Sequence, residues 1–198
     1  MAIDEDKRAT LRRFAAIGAA SPLAAAAGHS QAESEVREAI LGYVAATPGA
    51  HFSKLRDDLK LGTGEAQHHL RRLSEAGAIE VARDGDYKRF FPADRFDEFE
   101  KVSLGYLRRE TPRSMLIELL RDPDITGAAL AAEIGVSQAS VSTYAAELEQ
   151  NGLLDRDGGY AVTRPETVVT LVLRYAESFD RQSVEFAGEA ADLLRYDP

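Results

Sequence analysis

The chain contains one sequence unit twice, and this repeat constrains the fold more than any other feature. When the sequence is shifted by 75 positions, residues 40–77 align with residues 115–152 without a gap. Most matching positions are apolar or chain-bending, as in the pairs Leu55 and Leu130, Leu73 and Leu148, and Gly77 and Gly152. A repeat of this length is too long for a small solenoid unit. The pattern therefore predicts one small domain, with its own core, in two copies.

The first copy is predicted to form three short helices followed by a β-hairpin. Apolar residues recur at helical spacing in three stretches: Val36, Ile40, Leu41 and Val44; Phe52, Leu55 and Leu59; and Ala66, Leu70 and Leu73. Pro48-Gly49 ends the first helix, and Gly77 ends the third. Gly62-Thr63-Gly64 is predicted to make the tight break before the third helix, with Thr63 as its N-cap. Two strands flank the turn Asp84-Gly85-Asp86.

The second copy follows the same order. Ser137 is the predicted N-cap of its third helix, and Gly152 ends that helix. Its hairpin turn, Asp157-Gly158-Gly159, lies 73 positions after the first turn, so this hairpin is two residues shorter. The order helix, helix, tight turn, helix and hairpin is that of a winged helix-turn-helix domain, whose third helix can enter the major groove. The predicted fold class is mostly α with small β-hairpin wings: tandem winged helix-turn-helix domains joined and followed by helices.

Five segments follow from these patterns. They are an alanine-rich N-terminal segment (1–33), a first winged helix domain (34–92), a linker helix (93–110), a second winged helix domain (111–163) and C-terminal helices (164–198). Asp94 is expected to cap the linker helix. Pro165 is expected to open the first C-terminal helix, because proline is favoured at that position.

Two runs of residues resemble known regulators. The run GEAQHHLRRLSEAGAIE, residues 64–80, looks like the recognition helix and first wing strand of archaeal winged-helix transcription regulators. The run LAAEIGVSQASVS, residues 130–142, is similar to the MarR-like version of the same unit. The resemblance to this MarR/ArsR-like group covers a little over half of the chain. It implies DNA binding, and such domains also serve as protein-binding modules.

Composition restricts the chemistry. The chain has no cysteine, which excludes disulfides and thiol-based redox sensing. Lysine supplies 5 of the 24 basic residues and the net charge is −9, a composition that resembles proteins of salt-loving archaea. An excess of negative charge opposes binding to polyanionic DNA. The positions of the basic residues therefore matter more than their sum.

The basic residues are distributed unequally between the two copies. Residues 35–92 contain nine basic and nine acidic residues, whereas residues 111–163 contain three basic and eight acidic residues. The first copy is therefore predicted to be the main DNA binder. The second is predicted to be a weak or accessory reader, or an assembly domain.

The predicted DNA-binding residues lie on the third helix and the wing of the first copy: Thr63, Glu65, Gln67, His68, Arg71, Arg72, Arg83, Lys88 and Arg89. Residues near the N-terminus of such a helix reach base edges. Gln67 can pair bidentately with adenine, and His68 can donate to guanine. The wing cations suit contacts with the DNA backbone or the minor groove. In the alternative interpretation, Arg71 and Arg72 only solvate a helix face and pair with Glu75.

Neither a metal site nor a catalytic site is predicted. His68 and His69 are adjacent on a helix and do not share a face, and no nearby carboxylate completes a familiar zinc pattern. The sequence contains no nucleophile elbow, phosphate-binding glycine loop or paired-carboxylate arrangement. We therefore expect no enzyme activity and no cofactor.

The segments outside the two copies suggest assembly. The helix that follows Pro165 is apolar nearly all round, with Val168, Val169, Val172 and Tyr175. Such a helix either packs on the domain beside it or forms a homodimer, which would place two reading helices on a palindromic site. The homodimer is the preferred interpretation.

The N-terminal segment allows two interpretations. Arg12-Arg13-Phe14, followed by small apolar residues up to Ala27, resembles a twin-arginine export signal. Pro22 interrupts the apolar run, and the stretch is too short to span a bilayer. An alanine-rich helix that packs on the body or on a partner is therefore preferred.

The sequence thus predicts a cytoplasmic, sequence-specific transcription regulator that binds double-stranded DNA mainly through its first winged helix. The alternative is a tandem winged-helix module for protein–protein assembly in a chromosome-organising or transcription complex. No membrane association is expected, and the residues identify no small-molecule effector.

Overall fold

A computed structural model describes residues 2–18, 31–85 and 87–193 of the chain. The described part consists mostly of α-helices with two small antiparallel sheets, which confirms the predicted fold class. The chain divides into two compact units, residues 1–97 and residues 98–198. Each unit contains one copy of the repeat.

Unit 1 is a winged helix preceded by a long helix. Its elements are α1 (Ala2–Gly18), α2 (Gln31–Ala46), β1 (Ala50–His51), α3 (Phe52–Asp58), α4 (Thr63–Glu75), β2 (Ile79–Asp84) and β3 (Tyr87–Pro92). Helices α3 and α4 form the helix-turn-helix. Strands β2 and β3 form the antiparallel wing, and β1 pairs with the other edge of β3.

The core of unit 1 is built from the apolar stripes that the sequence predicts. Ile40 of α2, Leu55 of α3 and Ala66 of α4 are fully buried, and Phe90 of β3 lies against them. Burying one large aliphatic or aromatic side chain stabilises a fold by about 1.5–3 kcal/mol. Because α4 buries one stripe only, its opposite face remains free for another partner.

Helix α1 packs on α2. Leu11 is buried, and the ring of Phe14 lies 5.2 Å from the ring of Tyr43 in an edge-on arrangement. Residues 2–18 therefore form a helix on the body of unit 1, as the preferred interpretation of this segment requires. The rest of the alanine-rich stretch, residues 19–30, lies outside the described residues. Of the helices that the structure describes, none has the length and apolar character needed to cross a bilayer.

The turn between α3 and α4 differs from the prediction. Its left-handed residue is Lys60, with φ 55°, and the equivalent residue of the second copy is Gly135, with φ 70°. Gly62 is extended and is the N-cap of α4, so Thr63 is the first residue of the helix rather than its cap. A side chain in the left-handed region costs about 1–2 kcal/mol. The sequence pattern therefore pointed to the nearby glycines, although a lysine takes the strained position.

Unit 2 contains the second winged helix. Its elements are α5 (Glu98–Leu107), α6 (Glu110–Arg121), α7 (Gly127–Glu133), α8 (Gln138–Gln150), β4 (Leu154–Asp155), β5 (Ala161–Val162), α9 (Pro165–Tyr175) and α10 (Arg181–Leu193). Helices α7 and α8 begin and end 75 residues after α3 and α4, as the repeat predicts.

Two of the four predicted helix starts are confirmed, those at Ser137 and Pro165. The Ser137 hydroxyl accepts the Ser140 N–H at 3.0 Å and caps α8, and Pro165 is the first residue of α9. The linker helix α5 begins at Glu98, later than predicted. Asp94 does not cap it, because this residue lies in a turn with φ 56° and donates its own N–H to Glu80.

Most apolar residues of α9 and α10 whose side chains the structure describes are buried within the chain. Val168 and Val172 of α9 are fully buried, and Tyr175 and Phe186 are nearly so. Their burial accounts for much of the apolar surface on which the expected homodimer rested. Val184 of α10 remains 46 % exposed. Residues 194–198 lie outside the described part of the chain.

Candidate nucleic-acid interface

Helix α4 presents a polar face to solvent. Its buried stripe is Ala66, Leu70 and Leu73, and its exposed face carries Gln67, His68, Arg71 and Arg72. All four side chains are exposed, as contact with DNA requires, and their role in DNA binding stays a prediction. A helix with this division can insert its polar face into a DNA groove while its apolar face stays in the core.

The two arginines of α4 differ in their contacts. Arg71 Nε lies 3.9 Å from Glu75 Oε1, and both side chains are more than two-thirds exposed. An ion pair this exposed contributes only about 0–1 kcal/mol, so DNA can displace it. Arg72 has no carboxylate partner among the described residues. The pairing with Glu75 that the alternative interpretation requires therefore applies to Arg71 alone.

The wing adds two exposed cations next to this helix. Arg83 of β2 lies directly opposite Lys88 of β3, and neither has an ion-pair partner within the described residues. Like charges directly opposite each other destabilise a strand pair. The pair is therefore poorly explained by folding alone and is well suited to a polyanion.

A groove runs between α4 and the wing. It has a volume of about 570 Å³ and is lined by Leu70 and Arg71 of α4 and by Val81, Lys88 and Phe90 of the wing. Its lining combines these apolar side chains with two cations, Arg71 and Lys88, and with the carboxylate of Glu75. Val81 is 42 % exposed at this position, which is unusual for a large apolar side chain.

The structure places Arg89 differently from the prediction. Its side chain is only 5 % exposed, and its guanidinium is held inside unit 1 rather than presented to solvent. Nε and Nη2 each lie 2.6 Å from Asp84 Oδ2, and Nη1 donates to the Gly49 carbonyl at 2.9 Å. In this conformation Arg89 is a structural residue of the wing and is not available for DNA contact.

Glu65 and Thr63 lie at the start of α4. One oxygen of Glu65 accepts the Gly62 N–H at 3.2 Å and the ammonium of Lys7 at 3.0 Å. Both contacts occupy Glu65 within unit 1, which leaves it less available to DNA than predicted. Thr63 is exposed at the tip of the helix. Sequence reasoning missed Lys7, because a residue 58 positions away carries no local signal of this contact.

The three arginines of the second winged helix are all paired. Arg113 pairs with Asp180, Arg121 with Glu118 at 2.6 Å and with Glu189 at 2.8 Å, and Arg156 with Glu149 at 3.3 Å. Residues 111–163 are all described and contain no lysine. The second copy therefore offers no unpaired cation.

The recognition helix of the second copy also lacks the basic residues of the first. Ala146 and Glu147 occupy the positions that correspond to Arg71 and Arg72. Glu147 binds the guanidinium of Arg109 through both oxygens, at 2.6 and 3.1 Å. The exposed residues at the start of α8 are neutral, namely Gln138, Ser142 and Thr143.

Helix α4 carries two adjacent histidines, His68 and His69. The rings of His68 and His69 lie 5.3 Å apart at a steep angle. The described residues contain no group of three side chains that could hold a metal ion. Partial burial, with a smaller effect of His68, lowers the pKa of His69. The exposed His68 imidazole can donate a hydrogen bond at the surface of α4.

Comparisons with protein families match both units. Residues 34–104 match the family model described as an N-terminal HTH domain. Residues 108–155 match the family described as winged helix-turn-helix DNA-binding. The comparisons with curated proteins and with solved structures give no match. The chain therefore carries two tandem helix-turn-helix domains of DNA-binding type.

Proposed function

We propose that this protein is a transcription regulator that recognises specific DNA sequences mainly through its first winged helix. One observation carries the proposal: the first copy has unpaired cations on its recognition helix and wing, whereas every arginine of the second copy is paired with a carboxylate. Affinity for DNA depends strongly on cations that neutralise phosphates. The two copies share a fold and differ in this property.

Base recognition is assigned to helix α4. Gln67 and His68 lie in its N-terminal half, the part of such a helix that reaches base edges in the major groove. The Gln67 amide can bind adenine with two hydrogen bonds, and His68 can donate to a guanine acceptor. Arg71 and Arg72, further along the helix, suit either guanine or a phosphate.

Backbone contact is assigned to the wing. Lys88 lines the groove between α4 and the wing, and Arg83 lies opposite Lys88 across the two strands. A DNA strand that leaves the major groove would place phosphates near these cations and deoxyribose near the apolar side chains of the groove. Such contacts fix the position of the protein and carry little sequence information.

A second function is proposed for unit 2, namely assembly with another protein. Its helix α8 exposes neutral polar residues and its arginines are paired, so DNA has little to attract it there. Winged-helix domains without a basic surface serve elsewhere as protein-binding modules. In this proposal, unit 1 selects the DNA site and unit 2 recruits a partner.

The proposal is tested by selecting genomic DNA fragments with the full chain and sequencing them, at salt concentrations from low to molar. We expect a motif to be enriched by the native protein and lost with Gln67→Ala/Arg71→Ala. The matched control in the second copy, Gln138→Ala/Ser142→Ala, should retain the motif. If the native protein enriches no motif at any salt concentration, sequence-specific regulation is rejected. If both double variants lose the motif equally, the assignment to the first copy is wrong.

A further inference from the structure

The buried guanidinium of Arg89 joins three parts of unit 1. It lies on β3, it bonds Asp84 at the end of β2, and it bonds the Gly49 carbonyl in the turn between α2 and β1. Its backbone lies opposite Ala82 on one side and His51 on the other. A single side chain therefore connects the tip of the wing with the body of the domain.

The turn at Gly49 is itself attached to the wing. The Gly49 N–H donates to the Phe90 carbonyl at 2.8 Å, and the Gly49 carbonyl accepts from the Arg89 guanidinium. Gly49 has φ 79°, a conformation that side chains rarely adopt. This turn therefore provides a fixed anchor against which the guanidinium can hold Asp84.

The wing needs such an anchor near its tip. Arg83 and Lys88 face each other across the two strands, next to the pair formed by Asp84 and Tyr87. Their mutual repulsion acts where the hairpin extends from the core. A two-stranded hairpin is only marginally stable by itself. The bond from Asp84 to Arg89 opposes the separation of the strands at this point.

We propose that Asp84 and Arg89 are positioning residues for DNA binding, which hold Arg83 and Lys88 in register against the DNA backbone. The inference rests on the proposed function of the first winged helix. Asp84, although negatively charged, thereby supports the binding of negatively charged DNA. Arg89 acts through the wing and does not touch DNA.

The proposal predicts losses of DNA affinity that the change in charge alone would not cause. Removing Asp84 makes the wing more positive, and a purely electrostatic effect would strengthen DNA binding. Arg89→Lys keeps the positive charge, and a direct phosphate contact would largely survive it. If the two residues position the wing, both changes weaken binding, since lysine cannot reproduce the planar arrangement of donors.

The experiment measures DNA affinity of the full chain by fluorescence anisotropy over a series of salt concentrations. Asp84→Ala, Asp84→Asn and Arg89→Lys are compared with the native protein. We expect Asp84→Ala and Arg89→Lys to lower affinity about tenfold and to flatten the salt dependence by up to about 1.8, the value for two lost phosphate contacts. Asp84→Asn, which keeps one acceptor oxygen, should fall between them and the native protein.

Two controls separate this inference from the proposed function. Asp57→Asn removes an exposed carboxylate of α3 that pairs with Arg56, and should leave affinity unchanged or slightly higher. In the Arg83→Ala/Lys88→Ala background, Asp84→Ala should cause no further loss. If that background itself binds DNA like the native protein, the proposed role of the wing fails.

Thermal unfolding identifies variants that do not fold. If Asp84→Ala or Arg89→Lys is unfolded at the assay temperature, the near-isosteric Asp84→Asn decides the question. The inference is overturned if the folded Asp84 variants bind as tightly as the native protein or more tightly. It is also overturned if Asp84→Ala lowers affinity by the same factor in the Arg83→Ala/Lys88→Ala background.

Discussion

Replacing Arg83 and Lys88 with alanine should weaken DNA binding across all sequences and reduce its dependence on salt. Both cations are exposed, and neither is neutralised by a carboxylate of the described residues. Each phosphate contact contributes a slope of about −0.9 to the logarithm of affinity against the logarithm of salt concentration. Loss of two contacts should therefore flatten the slope by about 1.8. Over a tenfold rise in salt, the native protein should lose about 60 times more affinity than the variant.

Fluorescence anisotropy with a labelled duplex measures this difference. The full chain is titrated onto the selected site and onto a random duplex at several potassium chloride concentrations. Arg156→Ala is the matched control on the second wing, where the guanidinium already pairs with Glu149 at 3.3 Å. Its slope should equal that of the native protein. Equal changes in slope from the two wings would refute the reasoning, as would an unchanged slope for Arg83→Ala/Lys88→Ala.

Three further predictions concern base recognition, the oligomeric state and the pH dependence of stability. Gln67→Ala should cost about 1–3 kcal/mol at one base position, measured with a panel of single-base variants of the site, whereas a uniform loss would indicate a backbone contact. Light scattering should show a monomer at micromolar concentration, because most apolar side chains of α9 are buried within the chain; a dimer would restore the palindromic interpretation. Burial, followed by the charges of Arg89 and Lys54, lowers the pKa of His51, whose Nδ1 accepts the Lys54 N–H. Its contribution to stability should be complete above about pH 6.5 and be lost as the pH falls through the lower pKa of the folded state. Urea unfolding from pH 7 to pH 5 should show a smaller pH dependence for His51→Asn, which retains a capping side chain; an unchanged pH dependence would contradict this role.

The helices of both copies could be predicted because the repeat and the apolar periodicity agree. Leu55 and its repeat equivalent Leu130 are both fully buried. On the third helices, the equivalent residues Ala66 and Val141 are also buried, at 0 % and 1 % exposure. The local signals for helix starts were also sufficient at Ser137 and Pro165. The same apolar stripe occurs in both copies, so two independent stretches of sequence predict the same buried helix face.

The state of individual charged residues was harder to predict. Lys88 and Arg89 are adjacent in a strand, and adjacent side chains point to opposite faces of a sheet. One of the two therefore had to face the domain, and this signal was present in the sequence. The contact of Lys7 with Glu65 and the pairing of Arg113 with Asp180 depend on tertiary structure, because the partners lie far apart along the chain.

The partner of the apolar helix α9 was also hard to predict from the sequence. A helix that is apolar nearly all round must be covered, but the sequence does not say by what. In the structure, α9 lies against α5 and α10 of its own unit. Covering within one chain and covering by a second chain produce the same sequence pattern. Only the tertiary structure distinguishes these two possibilities, because α9 packs on α5, which lies about 60 residues earlier in the chain.

The pairing of charges, more than their sum, decides whether this acidic chain can bind DNA. The net charge of −9 produces a repulsion that acts over the Debye length, which falls from about 10 Å at 0.1 M salt to about 3 Å at 1 M. In concentrated salt, the remote carboxylates are therefore screened from the DNA. Direct phosphate contacts also weaken as salt rises, but only unpaired cations can make them without first breaking an internal ion pair. Arg72, Arg83 and Lys88 meet this condition, whereas Arg113, Arg121 and Arg156 do not. In the proposed function, the two winged helices therefore keep one fold and differ in DNA binding through the placement of a few carboxylates beside their arginines.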